Sequence, residues 1–594
     1  MRSLVWRRLR LAGLAFVALA PPLAAQAAVT TRSLYVPMHD GTLIAVDVWL
    51  PADLRADTRL PTVLQTTRYW RAIAGRDPDA FVPYLVARGY AVVRADERGT
   101  GASTGTWPYP FPPQAVADAR ELVDWIVSQP WSNGAVGGAG VSYEGGTAFL
   151  LAATDHPAVK AVVSQFATMD VYSEIGYPGG DRLEWFVHNW SELARRLDAG
   201  ERPGDPAARI QPVDADAGGQ MLASILARRS NPDLEASFHD VVFRDDRSPL
   251  VGVSLDELSP YRWLDAVERS GAGLYEWGSW MDAGTANAVL ARFLTLRNPQ
   301  RAVIGPWSHG GGDHASPYLP QDAPTDPSLA EQRREAVDFL DLYLKDGGAA
   351  DPVNRVLFYY TMGEEKWKST TVWPPAGIAR RRLYLGAGSS LRADGPGPDG
   401  EDARAIDFAA TTGDETRWHT EITGGDVVYP DRAAADQRLL VYTSDPLPRA
   451  LEVTGHPVVD LQVSASLGDV AVFAYLEDVD SDGRVTYLTE GQLRLLHGET
   501  PGPPPRYFDF DPGLPFHSYE RRDAEPLVPG AVRRVRFALF PTSVLVRAGH
   551  RLRLALAGHD AGLFARVPAE GDPTLAVHRG ASSPSFVDLP VVDR

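Results

Sequence analysis

Apolar and polar residues alternate along Leu43-Ile44-Ala45-Val46-Asp47-Val48-Trp49-Leu50, and the run stops at Pro51. That period predicts a strand, paired through the turn His39-Asp40-Gly41 with Leu34-Tyr35-Val36-Pro37. Four later runs are short and apolar: 61-PTVLQTTRY-69, Tyr90 to Ala95, Ala135 to Gly138 and Ala158 to Ser164. They read as strands buried on both faces. Helical patterns lie between them. Phe81 to Arg88 is stopped by Gly89. Asp118 to Gln129 puts Leu122, Trp125 and Ile126 on one face and ends at Pro130, and Thr147 to Thr154 follows a glycine-rich turn. Strand and helix in alternation predict a parallel sheet covered on both faces.

The alternation breaks between 168 and 265, a stretch rich in Trp, Asp and helical segments such as Ala217 to Arg229. A helical cap over the sheet's C-terminal edge is expected there. The sheet pattern resumes at Gly273-Leu274-Tyr275-Glu276-Trp277, continues through a helix near Ala286 to Leu296, and returns at 301-RAVIG-305. Glu331 to Leu344 is the last helix of that part. After Asp351-Pro352, short strands separated by Gly, Pro and Asp turns predict an all-β sandwich or jelly roll. The expected division is 28–167 and 266–351 for an α/β domain, 168–265 for the cap and 352–594 for the sandwich. A chain of 594 residues is too long for one core.

Composition narrows the function. A net charge of −18 argues against a nucleic-acid binder, which needs a basic face. With no cysteine, disulfides, thiolate metal sites and Cys nucleophiles are excluded. Arg2, Arg7, Arg8 and Arg10 precede the apolar run Leu11 to Leu23, and Ala25-Gln26-Ala27 fits a cleavage site. Residues 1–27 are therefore expected to be a signal peptide, and the protein to be exported to the periplasm or the medium. The apolar run is too short to span a bilayer, so no stable membrane insertion is expected.

The segment 138-GAGVSYEGG-146 joins a strand to a helix. A serine on such a turn is a candidate nucleophile, although the second glycine of the simplest G-x-S-x-G pattern is one place late, at Gly145. The bland alternative is an incidental serine in a glycine-rich turn. A nucleophilic serine needs a base and an orienting acid, in the order Ser, Asp or Glu, His for this fold. Among 13 histidines, His309 follows the last apolar strand, in 305-GPWSHGGG-312, with His314 as the rival. Asp282 follows the preceding strand, with Asp265 and Glu276 as alternatives. Tyr69, in 66-TTRYW-70, stands after an early strand where a second oxyanion donor belongs. None of the four lysines lies beside Ser142, which argues against a Ser–Lys mechanism.

These residues resemble the cocaine-esterase-like (CocE/NonD) hydrolases of the X-Pro dipeptidyl-peptidase class, a group that includes α-amino-acid ester hydrolases and glutaryl acylases. The resemblance rests on 36-VPMHDGTLIAVDVWLPAD-53, 94-RADERGTGASTG-105, 128-SQPWSNGAVGGAGVSYEGG-146, 277-WGSWMDAG-284, 303-VIGPWSH-309, 362-MGEEKW-367, 373-WPP-375, 442-YTSDPL-447 and 548-AGHRLRL-554. It implies an α/β-hydrolase domain with a helical cap and a C-terminal jelly roll. It implies a triad of Ser142, His309 and Asp282, with an oxyanion hole of the Tyr143 N–H and the Tyr69 hydroxyl. The Tyr143 side chain is then free to shape the acyl pocket.

One departure bears on substrate. The α-amino-acid ester hydrolases hold a substrate ammonium with carboxylates, two of them just after the catalytic Asp. Here that stretch is Ala283-Gly284-Thr285, and only Asp181 matches a third. A simple acyl ester or amide is therefore expected ahead of a free-amino substrate, with X-Pro dipeptidyl-peptidase or α-amino-acid ester hydrolase activity as the alternative. Trp70, Trp185 and Trp190 are candidate pocket walls. No cofactor and no metal are expected. The acidic run 478-DVDSDG-483 starts like a calcium loop but has Thr489 where that loop needs Glu, and it reads as a hairpin tip. A reading from another class is a non-catalytic glycan- or partner-binding protein on a hydrolase scaffold. A homo-oligomer is left open.

Overall fold

A computed structural model describes residues 29–345, 351, 353–511 and 513–593. The signal-peptide reading of residues 1–27 lies outside them. Among the described residues, no helix is long and apolar enough to cross a membrane.

The first sheet has ten strands: β1 (Val29–Pro37), β2 (Leu43–Pro51), β3 (Leu60–Thr67), β4 (Ala91–Asp96), β5 (Ser132–Val141), β6 (Val159–Gln165), β7 (Gly273–Ser279), β8 (Gln300–Gly305), β9 (Val356–Thr361) and β10 (Lys366–Thr370). Their spatial order is β1-β2-β4-β3-β5-β6-β7-β8-β9-β10. From β4 to β9 every neighbouring pair is parallel. The order reverses at β4-β3-β5, and a crevice opens beyond the strand ends at such a point. Register sets the rest. Val141 pairs Gln165, Gln165 pairs Trp277, and Ser279 pairs Gly305. The loops after β5, β6, β7 and β8 therefore emerge along one edge.

Four helices flank this sheet: α1 (Phe81–Ala87), α2 (Pro113–Ser128), α3 (Tyr143–Ala153) and, after the cap, α8 (Thr285–Thr295). Every residue of α3 except Glu144 is buried. The cap carries α4 (Glu184–Asp198), α5 (Gln220–Ala227), α6 (Leu234–Phe238) and α7 (Leu264–Ser270), joined by short turns. Helix α9 (Leu329–Leu344) completes the layer.

The sheet boundary differs from the sequence-based one. Residues after 351 were expected to start the sandwich, yet β9 and β10 extend the first sheet, with β9 parallel to β8. Short strands show their period but not their pairing partner, so the pattern alone could not assign them. The β-rich unit begins with the strand Ala379–Gly386 and has 13 strands through Phe586–Asp593, nearly all antiparallel. It docks on both other parts. Met362 N–H donates to the Ser543 carbonyl at 2.9 Å, and Trp185 N–H in the cap donates to the Leu563 carbonyl at 3.0 Å.

Candidate active site

Ser142 sits between β5 and α3 with φ 62° and ψ −129°. A side chain with a Cβ occupies that region at a cost of about 1–3 kcal/mol, which the surroundings must impose. Its backbone is fixed at both ends: Ser142 N–H donates to the Gln165 carbonyl at 2.8 Å, and its own carbonyl accepts from Gly146 N–H at 3.0 Å. The glycine spacing now has a reason. A Cβ on Gly140 would lie 2.2 Å from the Glu144 carbonyl oxygen, and one on Gly145 would lie 2.6 Å from that of Gln165. The close approach of β6 falls at Gly145, so the late glycine is the one this turn requires. The first amide groups of α3, beginning with Tyr143, have no partners within the helix and face the turn.

His309 and Asp282 come together as expected. His309 Nδ1 lies 3.1 and 3.0 Å from the two Asp282 carboxylate oxygens. Asp282 is fully buried, and the Thr285 hydroxyl donates to it at 3.2 Å. His309 Nε2 is buried without a protein partner and borders the same cleft as Ser142. The rivals are engaged elsewhere. His314 Nε2 faces the Pro320 carbonyl at 2.6 Å. Glu276 is paired with Arg292 at 2.7 Å in the core, and Asp265 lies in an exposed pair with Arg506.

Tyr69 follows β3, and Trp190 of α4 donates its indole N–H to the Tyr69 oxygen at 2.8 Å. Burial pushes the Tyr69 hydroxyl up to about 12, so it stays protonated and able to donate. Its ring meets that of Tyr143 edge-on at 5.8 Å. The Tyr143 ring borders the cavity, as expected of a side chain that shapes the pocket, but its hydroxyl is not free. Its hydroxyl donates to Glu97 at 2.6 Å, and Trp107 N–H donates to the same carboxyl oxygen at 3.1 Å. Burial pushes Glu97 up to about 7 against those two bonds. Glu97 lies in the 94-RADERGTGASTG-105 motif, which carried no side-chain role in the sequence.

A further carboxyl reaches the site from the β-rich unit. Glu421, on the short helix Thr420–Thr423, lies 3.5 Å from His309 Nδ1, and its side chain is 4% exposed. Its neighbours grip the loops of the pair: the Thr420 hydroxyl accepts from His309 N–H at 2.9 Å, and Arg417 Nε donates to the Ala283 carbonyl at 3.1 Å. Nothing in the local sequence 416-TRWHTEIT-423 signals this. Burial pulls the His309 imidazole down, but Asp282 and Glu421, when charged, outweigh it and push it up to about 9. Burial and the charge of Asp282 push Glu421 well above the usual carboxyl range. Asp282, His309 and Glu421 bring potential ligand atoms within 4.8 Å of one another. The His309 nitrogen nearest both acids is the one that faces Asp282, so the cluster reads as a proton-sharing group.

Two spaces meet at Ser142. One is an apolar cavity of about 110 Å³ under the cap, bounded by Phe111, Tyr143, Phe166, Ile175, Trp190 and Phe238. The other is a larger cleft of about 910 Å³ with more polar groups on its walls, bounded by Trp70, Arg94, Glu144, Arg202 and His309. Of the expected wall residues, Trp190 borders both spaces and Trp70 the larger cleft. Trp185 borders neither and packs edge-on against His419 at 4.5 Å between ring centres. Asp181 also lies outside both. The turn Pro178–Gly180 carries it under the β-rich unit, where Gly179 and Gly180 fit against Gln492 and His497. The acidic run of residues 478–483 is a hairpin tip: Asp478 binds His550 at 2.8 Å, and Asp480 accepts the Asp482 and Arg484 amides.

A serine on a strained strand–helix turn, beside a buried Asp–His pair on an α/β-hydrolase sheet, defines a serine hydrolase. Residues 40–311 match the family described as X-Pro dipeptidyl-peptidase (S15 family), and residues 348–588 match X-Pro dipeptidyl-peptidase C-terminal non-catalytic domain. The chain belongs to this family. It is 38% identical over 94% of its length to a Mycobacterium bovis protein named "Putative serine esterase", covering 95% of that protein. It is 28% identical to the cocaine esterase of Rhodococcus sp., covering 95% of this chain and 98% of that one. A solved α-amino acid ester hydrolase superposes with a TM-score of 0.70 at 20% identity, over 96% of this chain and 98% of the other.

Proposed function

We propose that this enzyme hydrolyses a small acyl ester or amide through an acyl-enzyme on Ser142. His309 Nε2 takes the hydroxyl proton as Ser142 attacks the carbonyl, and returns it to the leaving group. Asp282 holds Nδ1–H and stabilises the imidazolium that forms. The Tyr143 N–H and the Tyr69 O–H receive the developing oxyanion. Water then attacks the acyl-enzyme by the same route. The observation that carries this reading is the pair of His309 Nδ1 and Asp282 at 3.0 Å, with a bare Nε2 on the cleft that holds Ser142.

The acyl group belongs in the apolar cavity and the leaving group in the larger cleft. The stretch just after Asp282 supplies the cavity no carboxylate and Asp181 lies outside it; Glu421, the one carboxyl on its wall, faces His309. Glu174 approaches Gly284, but its carboxyl is occupied by the Met169 and Asp170 amides and the Tyr507 hydroxyl. An apolar, uncharged acyl group is therefore favoured over an α-ammonium one. The basic-then-apolar N-terminal segment supports export of the mature enzyme.

Ser142→Ala should abolish labelling by a fluorophosphonate probe, and labelling that persists would refute the assignment. A panel of aromatic and aliphatic acyl esters, amino-acid esters and Xaa-Pro anilides tests the substrate class. Fastest turnover of the Xaa-Pro anilide would overturn it.

A further inference from the structure

Glu421 makes the His309 site a cluster of two carboxyls and one imidazole. Asp282 is buried, the His309 and Glu421 side chains are at most 9% exposed, and the three converge within 4.8 Å. One Glu421 oxygen is buried with no hydrogen-bond donor. For an ionised carboxylate that arrangement is costly; for a neutral acid, whose O–H can donate to Asp282, it is not. We propose that Glu421 is a positioning residue that holds the cluster's second proton, leaving Asp282 the one ionised carboxylate at Nδ1 and keeping His309 Nε2 bare. This rests on the Ser142–His309–Asp282 reading.

With His309 Nδ1–H directed at Asp282, one further proton is shared between His309 Nε2 and Glu421. The two arrangements carry the same total charge and differ only in where that proton sits. Imidazolium with two carboxylates cannot accept the Ser142 proton; neutral imidazole with a neutral Glu421 can. The groups around the cluster bear on the balance from every side. Arg417 favours the charged form of Glu421, and the Asp282 charge opposes it. Tyr69, across the cleft, is raised by the charges of Glu144 and Glu421, so a neutral Glu421 also eases donation from Tyr69. His419, two residues away, is held down by burial and adds no positive charge. Geometry holds Glu421 in place: Thr420 and Arg417 tie its helix to the loops of His309 and Asp282.

The experiment is the pH dependence of kcat/KM, and of fluorophosphonate labelling rate, in wild type and Glu421→Gln. Such limbs report the cluster as a whole. In wild type the expected acid limb lies clearly below 9, because a neutral Glu421 withdraws one of the two charges that raise His309. A limb near 9, the value His309 reaches with both acids charged, would overturn the proposal. Glutamine mimics the neutral acid and keeps a donor for Asp282, so its limb should fall within about 0.3 units of wild type with most activity retained. A downward move of about one unit or more would show that Glu421 is charged in the wild type. If Glu421→Gln does not fold, the wild-type limb still decides. His309→Ala separates the two readings: a limb that survives this change belongs to another group, and the triad itself fails.

Discussion

Trp190 donates its indole N–H to the oxygen of Tyr69, at 2.8 Å. The Tyr69 hydroxyl has one proton to give, and Trp190 occupies the oxygen without using it. That proton is left for the substrate, on an oxygen polarised by the incoming bond. Tyr69→Phe should lower kcat/KM by roughly 10²–10³-fold. Trp190→Phe keeps the apolar wall and should cost about tenfold, chiefly in kcat. Steady-state kinetics on one ester separate these effects. A loss confined to KM would return Trp190 to the role of a wall.

Asp282→Asn retains the size of the side chain but removes its charge and presents a donor to His309 Nδ1. The imidazole then takes the wrong tautomer, and kcat should fall by about 10⁴. Unchanged melting temperature with lost turnover is the expected pair of results.

Tyr143→Phe should leave turnover near wild type, since the backbone N–H is kept. Stability should fall by about 1–3 kcal/mol, because buried Glu97 loses one of its two donors. Urea unfolding near neutral pH measures it. Glu97 would also bind its proton more tightly, as the Tyr143 bond helps to hold its pKa down.

Asp181 is buried with neither oxygen hydrogen-bonded, and burial, against the pull of Arg494, pushes it up to about 8. The folded protein therefore keeps a proton that the unfolded chain releases from near pH 4. Stability associated with this group is full below that pH and is lost as pH rises to about 8. Asp181→Asn should flatten the fall in melting temperature between pH 5 and pH 8. An equally steep fall in the variant would place the titration elsewhere.

The strand ends and the Ser142, Asp282 and His309 positions were legible because each depends on local pattern: an apolar run, then a turn, then the residue. What was missed needed tertiary information. Trp185 and Trp190 look equivalent in sequence, but they are five positions apart on α4. At 3.6 residues per turn that is about 140° around the axis, so only one faces the cavity. Asp181 matched by position, yet Gly179 and Gly180, both at positive φ, turn the chain away from the cavity. Strands β9 and β10 had the right period and the wrong expected partner. Glu421 lies 112 residues beyond His309 in a different folding unit, and no local motif announces it.

The loops that carry Asp282 and His309 are tied to Arg417 and Thr420, and Glu421 stands between them. All three belong to the unit whose family description is non-catalytic. The seam between the two halves of the molecule thus runs through the candidate active site. Heat that loosens this seam should silence the enzyme before the rest of either half is lost.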